Sequence, residues 1–441
     1  MSAPWFAIYA ILVGLAIVQS LVVLLQTWEH RRFARSQLSC LGGGQQTKVM
    51  VYAPCKGIDV ELEETLERLL DQDYPDYEVT FIVESVSDPA YWLIRRMMVA
   101  HPGVMTHVLV AGLAEECGQK VHNLRVATAE IPDDVQYLAF IDSDAKPRRE
   151  WLRALVSHLE WPGVGAASGY RWFVPAEPTL ASWLIYSINC GAAVMMRSRG
   201  ANLVWGGSWA VRRDTFETLG LRAAWDGVLT EDLVVAEQIQ RHGLRVRFEP
   251  GCMVASPLEG TGASLFSFLR RQYLLGRIYA PRWWRIGAAS TLVGNLAWAA
   301  SLAVLAWGLA ASPAAAWIAG GSCAAMYVLQ VLRGFARQSL VRMYCPDHAD
   351  ALRAPGWFDI WAAPVVNAVS LAALLSSAVG RRMTWRGIAY TVLADGRARI
   401  LQRTTDPVDG PRDDGEASQD RASGRADEAR VPYRTTHRAA G

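Results

Sequence analysis

Apolar residues in this chain fall into two kinds of run. The long kind comes first and last: residues 5–25, WFAIYAILVGLAIVQSLVVLL, carry no charged side chain, and about 20 such residues in a helix cross the roughly 30 Å hydrocarbon core of a bilayer. Two more lie at 288–311 and 314–332, parted by Ser312 and Pro313, and another at 357–379 with Pro364 inside it. That proline leaves a re-entrant or surface-lying helix open as an alternative to a full span. The first run lacks the basic start and small-residue cleavage site of a secretory signal, so it reads as a retained anchor. His30, Arg31, Arg32 and Arg35 follow it and no Lys or Arg precedes it, which puts residue 28 onward in the cytoplasm. Arg333, Arg337 and Arg342, and then Arg381, Arg382 and Arg386, argue for that same side. Both sets cannot be satisfied if 357–379 spans fully.

The short kind of run fills the stretch between. VMVY (49–52), VTFIV (79–83), HVLVA (107–111) and YLAFI (137–141) are continuously apolar, as strands buried on both faces of a mostly parallel sheet are. Helical spacing separates them: Leu62, Leu66, Leu69 and Leu70 share one face, with Asp59 as the predicted N-cap. Strands alternating with helices predict an α/β domain. Ligands in such sheets bind beyond the carboxyl ends of the strands, where Pro54, Glu84, Asp88, Asp142 and Asp144 fall. The stretch 404–441 is polar and is expected to be disordered.

Composition narrows the picture. A net charge of +2 over 441 residues gives no global basic field, so no nucleic-acid partner is expected. Seven scattered cysteines form no CxxC pair, which suits reduced thiols facing the cytosol.

Three stretches carry candidate chemistry. In DSD, Asp142 and Asp144 stand at i and i+2 as a loop begins, so both can turn to one side and share a divalent cation with phosphate oxygens and water. The plain alternative is a turn cap and a solvated carboxylate. In LTEDLVVAEQIQRHG (229–243), Thr230 is the predicted N-cap, Glu231 and Asp232 fill the first turn and Gly243 closes the helix. The helix dipole alone explains such acids, whereas a cleft-facing Asp232 could take a proton from an acceptor hydroxyl. In FSFLRRQYLLGRIYAPRWWR (266–285), Arg270, Arg271, Arg277, Arg282 and Arg285 are interleaved with aromatics before an apolar run. They suit an interfacial anchor, a clamp on diphosphate, or both.

Taken in order, these stretches resemble the family-two glycosyltransferases with a GT-A fold, and most of all their ceramide glucosyltransferase branch and its bacterial relatives. The resemblance covers about residues 47–285 and runs through APCKGID (53–59), LLDQDYPDYEVTFIVES (69–85), GQKVHNL (118–124), DSD, WGGSWAVRRDTFE (205–217), TED and MTWRGIAY (383–390). It implies transfer of a sugar, with inversion, from a nucleotide-diphosphate donor, a UDP-sugar, to a lipid acceptor, with Mg2+ or Mn2+ as cofactor. Carried across, Asp142 and Asp144 hold the metal and Asp232 is the base. Pro54, Glu84, Asp88, Lys120, Asp142, Arg270, Arg271 and Gln272 bind the donor, while Gly206, Gly207 and Glu231 lie on the acceptor side. Two positions depart from the pattern: Glu84 stands where aspartate is usual, and FLRRQ (268–272) replaces (Q/R)xxRW. With only four long apolar runs, a processive polysaccharide synthase with its own channel fits less well than single-sugar transfer to a lipid. The rival of another class is a non-catalytic nucleotide-sugar-binding membrane protein.

The expected organisation is an anchor at 1–28, a cytosolic GT-A domain at 29–285, membrane helices at 286–380, a short cytosolic segment at 381–403 and a tail at 404–441. The expected location is the bacterial inner membrane, with the catalytic domain cytoplasmic.

Overall fold

The computed structural model describes residues 3–38, 47–198, 200 and 202–404; the tail from 405 onward lies outside the described residues. In chain order the elements are α1 (Ala3–Leu38), β1 (Val49–Pro54), α2 (Leu62–Leu70), β2 (Tyr77–Val83), α3 (Pro89–Ala100), β3 (Met105–Val110), α4 (Gln119–Ala127), β4 (Tyr137–Ile141), α5 (Trp151–Val156), β5 (Val164–Pro175), α6 (Leu180–Ala193), β6 (Ser208–Arg212), α7 (Arg213–Thr218), α8 (Leu221–Ala224), α9 (Asp232–Arg241) and β7 (Arg245–Leu258). The chain continues through α10 (Gly262–Tyr279), α11 (Pro281–Ala311), α12 (Pro313–Gln338), α13 (Val341–Tyr344), α14 (Arg353–Trp361), α15 (Ala363–Ser377), β8 (Arg382–Trp385), β9 (Ile388–Val392) and β10 (Ala398–Arg403).

β1 to β7 form one sheet in the order β3-β2-β1-β4-β6-β5-β7, and only β6 runs against the rest. The expected α/β class with a mostly parallel sheet is what the structure has. β1 and β4 are buried along nearly their whole length because helices cover both faces, which is why their apolar residues are continuous. Phe140 stacks on Trp209 at 4.1 Å between centroids, and Trp225 meets both rings edge-on. Burying a side chain such as Phe140 contributes about 1.5–3 kcal/mol. This aromatic layer also reaches the cleft, since Trp225 Nε1 donates to the Glu231 carbonyl at 3.3 Å.

Two predicted caps are corrected. Glu61, in the left-handed region, precedes α2, while Asp59 accepts instead from Ser143 and Arg386. Thr230 is not the cap of α9; its hydroxyl donates to Asp232 Oδ1 at 2.6 Å.

α1, α11 and α12 are long and apolar enough to cross a membrane. α1 is a single helix past residue 28, because Arg31, Arg32 and Arg35 continue it without a breaker. α14 and α15 meet at an 83° bend, so the run at 357–379 is broken just ahead of Pro364. Arg337 of α12 holds Asp359 of α14 through two hydrogen bonds of 2.5 and 2.8 Å.

β8, β9 and β10 form an antiparallel sheet that packs back on the domain at 47–279. Gln119 N donates to Tyr390 Oη at 3.3 Å, and Arg403 donates to the Ala114 carbonyl at 2.7 Å. Residues on either side of the apolar helices therefore belong to one body. If α11 and α12 each cross, the bent pair must enter and leave by the same face, which lets both arginine sets lie on one side.

Candidate active site

The order of strands reverses between the adjacent, parallel β1 and β4, so the loops leaving their carboxyl ends diverge and open a crevice. Pro54 ends β1 and Asp142 follows β4. The cleft there, about 380 Å3, is lined by Pro54, Lys56, Lys120, Asp142, Asp144, Gly206, Glu231 and Asp232. Arg171 and Phe173 of β5, Trp205, and Phe268, Arg271 and Gln272 of α10 also line it, with Trp385, Arg386 and Tyr390 from the C-terminal sheet.

Lys120 ties the acidic motifs together. In the first turn of α4, its Nζ lies 2.6 Å from both Asp142 Oδ1 and Glu231 Oε1, and it donates to the Gly206 carbonyl at 3.2 Å. The contact to Glu231 is a close ion pair without hydrogen-bond alignment. Gly118, which precedes α4, makes this approach possible. Its amide donates to the Val228 carbonyl, and a Cβ there would lie 2.5 Å from the Leu229 carbonyl oxygen. Burial pulls Lys120 down, but Asp142, Glu231 and Asp232 outweigh it and hold the ammonium above the ordinary lysine range.

Glu231 is buried, and burial pushes it up to about 7 against the pull of Lys120. An acid raised in this way stabilises the fold below its unfolded value and loses that contribution as pH rises through about 7. The midpoint of thermal unfolding should thus fall between pH 5 and 7.5 in the wild type, and Glu231→Gln should remove that slope; differential scanning fluorimetry of both proteins checks it.

Both carboxylate oxygens of Asp232 are held by hydrogen bonds. Its Oδ2 accepts from Gly206 N at 2.9 Å, and its Oδ1 accepts from Thr230 and from Leu233 N at 2.7 Å. The Gly206 segment is in turn fitted to both acids. A Cβ at Gly206 would collide with Glu231 Oε1 and stand 2.9 Å from Lys120 Nζ and 3.2 Å from Asp232 Oδ2. Gly206→Ala is therefore expected to cost about 1–3 kcal/mol in thermal or denaturant unfolding, the usual cost of overpacking. It should also reduce activity by displacing the acids.

Asp144 takes part in no hydrogen bond or ion pair among the described residues. Burial, then the charge of Asp142, raise its carboxyl above the usual range. No group of three or more His, Cys, Asp and Glu side chains converges as a metal cage among the described residues. Two hard oxygen ligands with open positions nevertheless suit Mg2+ or Mn2+, which take one or two carboxylates and complete their shell with water and phosphate. An unpartnered carboxylate beside a second one is the gap that a cation would fill.

Several other expected residues are brought elsewhere. Asp88 caps α3 through Ala90 N and also accepts from Gly57 N, each at 2.9 Å. Glu84 is paired with Lys56 and lies 3.7 Å from Arg403. Arg270 donates to the carbonyls of Arg382 and Val379 at 2.9 and 3.0 Å. None of the three lines the cleft, because each is spent holding a loop or the C-terminal segment in place. Gly207 lies behind the lining, its carbonyl accepting from Asp142 N at 3.3 Å.

Sequence reasoning missed Arg386 and Arg171. Arg386 opens the two-residue turn between β8 and β9, with φ of 46° at Arg386 and 71° at Gly387, as a type I′ hairpin requires. Its guanidinium grips Asp59 at 2.8 and 3.0 Å, laying the turn over the cleft. The MTWRGIAY stretch was the available signal for it. Arg171 sits in no motif, and its sequence carries no such signal.

The family model described as Glycosyl transferase family 21 matches residues 9–398. A ceramide glucosyltransferase of Komagataella phaffii is 38% identical over 61 residues, 14% of this chain. The match spans only 12% of that relative's length. Among solved structures, a mannosyltransferase from Pyrobaculum calidifontis in complex with GDP-Man and Mn2+ matches 82% of this chain and 99% of its own, with 19% identity and a TM-score of 0.48.

Proposed function

The chain belongs to glycosyl transferase family 21, and from that premise we propose that it is a membrane-bound, inverting hexosyltransferase moving one sugar from a nucleotide-diphosphate donor, a UDP-sugar, to a lipid hydroxyl. The observation that carries the reading is the convergence of DSD, TED and Lys120 in one cleft at the β1–β4 switch point. The sheet is consistent with a GT-A fold, and the family match covers the cleft and the apolar helices alike.

Asp142 and Asp144 would hold Mg2+ or Mn2+, which when bound neutralises the charge that builds on the departing diphosphate. Lys120 and Arg271 supply fixed positive charge to the same cleft. Asp232 takes the proton of the acceptor hydroxyl as its oxygen forms a bond to the anomeric carbon, and the bond from that carbon to the diphosphate breaks with both electrons leaving on the nucleotide. Gly206 N and Thr230 orient the Asp232 carboxylate for that transfer. The lipid enters from the side where α10 packs on α11 and α15. The location that follows is a bacterial inner membrane with the cleft cytoplasmic.

The test is release of nucleoside diphosphate by the purified full chain from a panel of nucleotide sugars, with and without a total lipid extract. Release that needs both lipid and a divalent cation is the expected result. Equal release without lipid would replace transfer with hydrolysis.

A further inference from the structure

Two guanidinium groups in the cleft make no ion pair; the opposite charge that acts on both is Asp144. Arg171 projects from β5, its guanidinium 4.4 Å from the centre of the Phe173 ring, 5.5 Å from Phe268 and 5.6 Å from Trp205. Arg271 of α10 lies 5.4 Å from the same Phe268 ring and 5.6 Å from Trp385. Phe268 is thus shared by both cations. Neither side chain makes a hydrogen bond or ion pair among the described residues, and the Arg171 Nε is buried without an acceptor.

The other cations of the cleft differ. Lys120 meets Asp142 and Glu231, Lys56 meets Glu84, and Arg386 meets Asp59. Aromatic faces attract a guanidinium but accept none of its N–H donors in the plane, and a buried donor without an acceptor, as Arg171 Nε is, is costly. Burial, with the repulsion of Arg171 and Arg386, pushes Arg271 down to about 10 against the pull of Asp144. The arrangement is one that an incoming anion would complete.

Its position in the fold points to where that anion comes from. β5 lies two strands beyond β4, which carries Asp142, and it packs on the apolar α6. Phe268 and Arg271 belong to α10, which Tyr273 joins to Ser370 of α15 at 2.5 Å. The seat is therefore on the wall backed by membrane helices, away from the β1–β2 side.

We propose that Arg171, with Arg271 across the Phe268 ring, seats an anionic group carried by the lipid acceptor, a phosphate or a carboxylate. This rests on the glycosyltransferase reading with a lipid acceptor. Arg171 then selects among acceptors, while Arg271 also faces the donor.

The test is calorimetric titration of the detergent-solubilised full chain with short-chain phosphatidic acid, the matched neutral diacylglycerol, inorganic phosphate and UDP. The wild type should bind the acidic lipid about tenfold more tightly than the neutral lipid or phosphate, the worth of one charged hydrogen-bonded contact. Arg171→Gln should bring the acidic and neutral lipids within about twofold while leaving UDP affinity unchanged, and Arg171→Lys should keep part of the preference. The proposal is overturned if the wild type shows no preference, if phosphate binds as tightly as the acidic lipid, or if Arg171→Gln weakens UDP as much as lipid. An acidic preference in a protein that binds no UDP would keep the seat and remove UDP as the nucleotide of the donor.

Discussion

Replacing Asp232 with asparagine is expected to lower sugar transfer by roughly a hundredfold to ten-thousandfold, the range that a positioned general base contributes. The geometry explains why this carboxylate suits the role. A carboxylate offers about four lone-pair sites, and three of them accept from Gly206 N, Thr230 and Leu233 N. Oδ2 keeps one site free in a side chain that lines the cleft. An asparagine would also set its NH2 against the backbone N–H of either Gly206 or Leu233, whichever way it turned. A stability cost of about 1–3 kcal/mol should accompany the loss, so UDP affinity is measured alongside to show that the cleft survives. Near-normal turnover of Asp232→Asn would remove Asp232 as the base and leave Glu231, its buried neighbour, to be tested.

Replacing Asp144 with alanine, or stripping divalent cations from the wild type, is expected to lower transfer by roughly a hundredfold or more, as losing one stabiliser of developing charge does. A second readout separates this role from a structural one. Asp144 makes no hydrogen bond or ion pair among the described residues, and its burial and the repulsion of Asp142 outweigh the attraction of Arg171 and Arg386, so without metal Asp144→Ala should unfold at the same temperature as the wild type or higher. Adding Mn2+ should raise the wild-type midpoint by mass action and leave that of Asp144→Ala unmoved. A metal-induced rise of equal size in both proteins would contradict the assignment.

β1 and β4 were legible because burial on both faces leaves a continuous apolar signature, as at Val49–Pro54 and Tyr137–Ile141; HVLVA has the same signature but forms the edge strand β3, with His107 and Val110 exposed. DSD and TED were legible as motifs, and their convergence followed once both lay at one edge of the sheet. Local chemistry was harder to read. Asp59 and Thr230 looked like caps, yet each bonds a side chain that the fold brings to it, Arg386 and Asp232 respectively. Asp88 and Arg270 had the right charge for a donor site, but backbone groups distant in sequence occupy them. The C-terminal sheet was hidden because its strands are four to six residues long and bury their apolar side against the loop before α9 and against α10, through Leu229, Leu274 and Leu275. Arg171 was hidden for another reason: a lone arginine in a strand looks like a solvated residue until its aromatic surroundings are known.

The central claim is that this cleft joins one sugar to a lipid. Its most direct test is mass spectrometry of the lipid fraction after the purified protein is incubated with Mn2+, a set of nucleotide sugars and a total lipid extract, with Asp232→Asn run in parallel. A lipid gaining the mass of a single hexosyl residue, in the wild type and not in Asp232→Asn, is the predicted result. Nucleoside diphosphate released with no glycosylated lipid, or a ladder of products with many sugars, would contradict it.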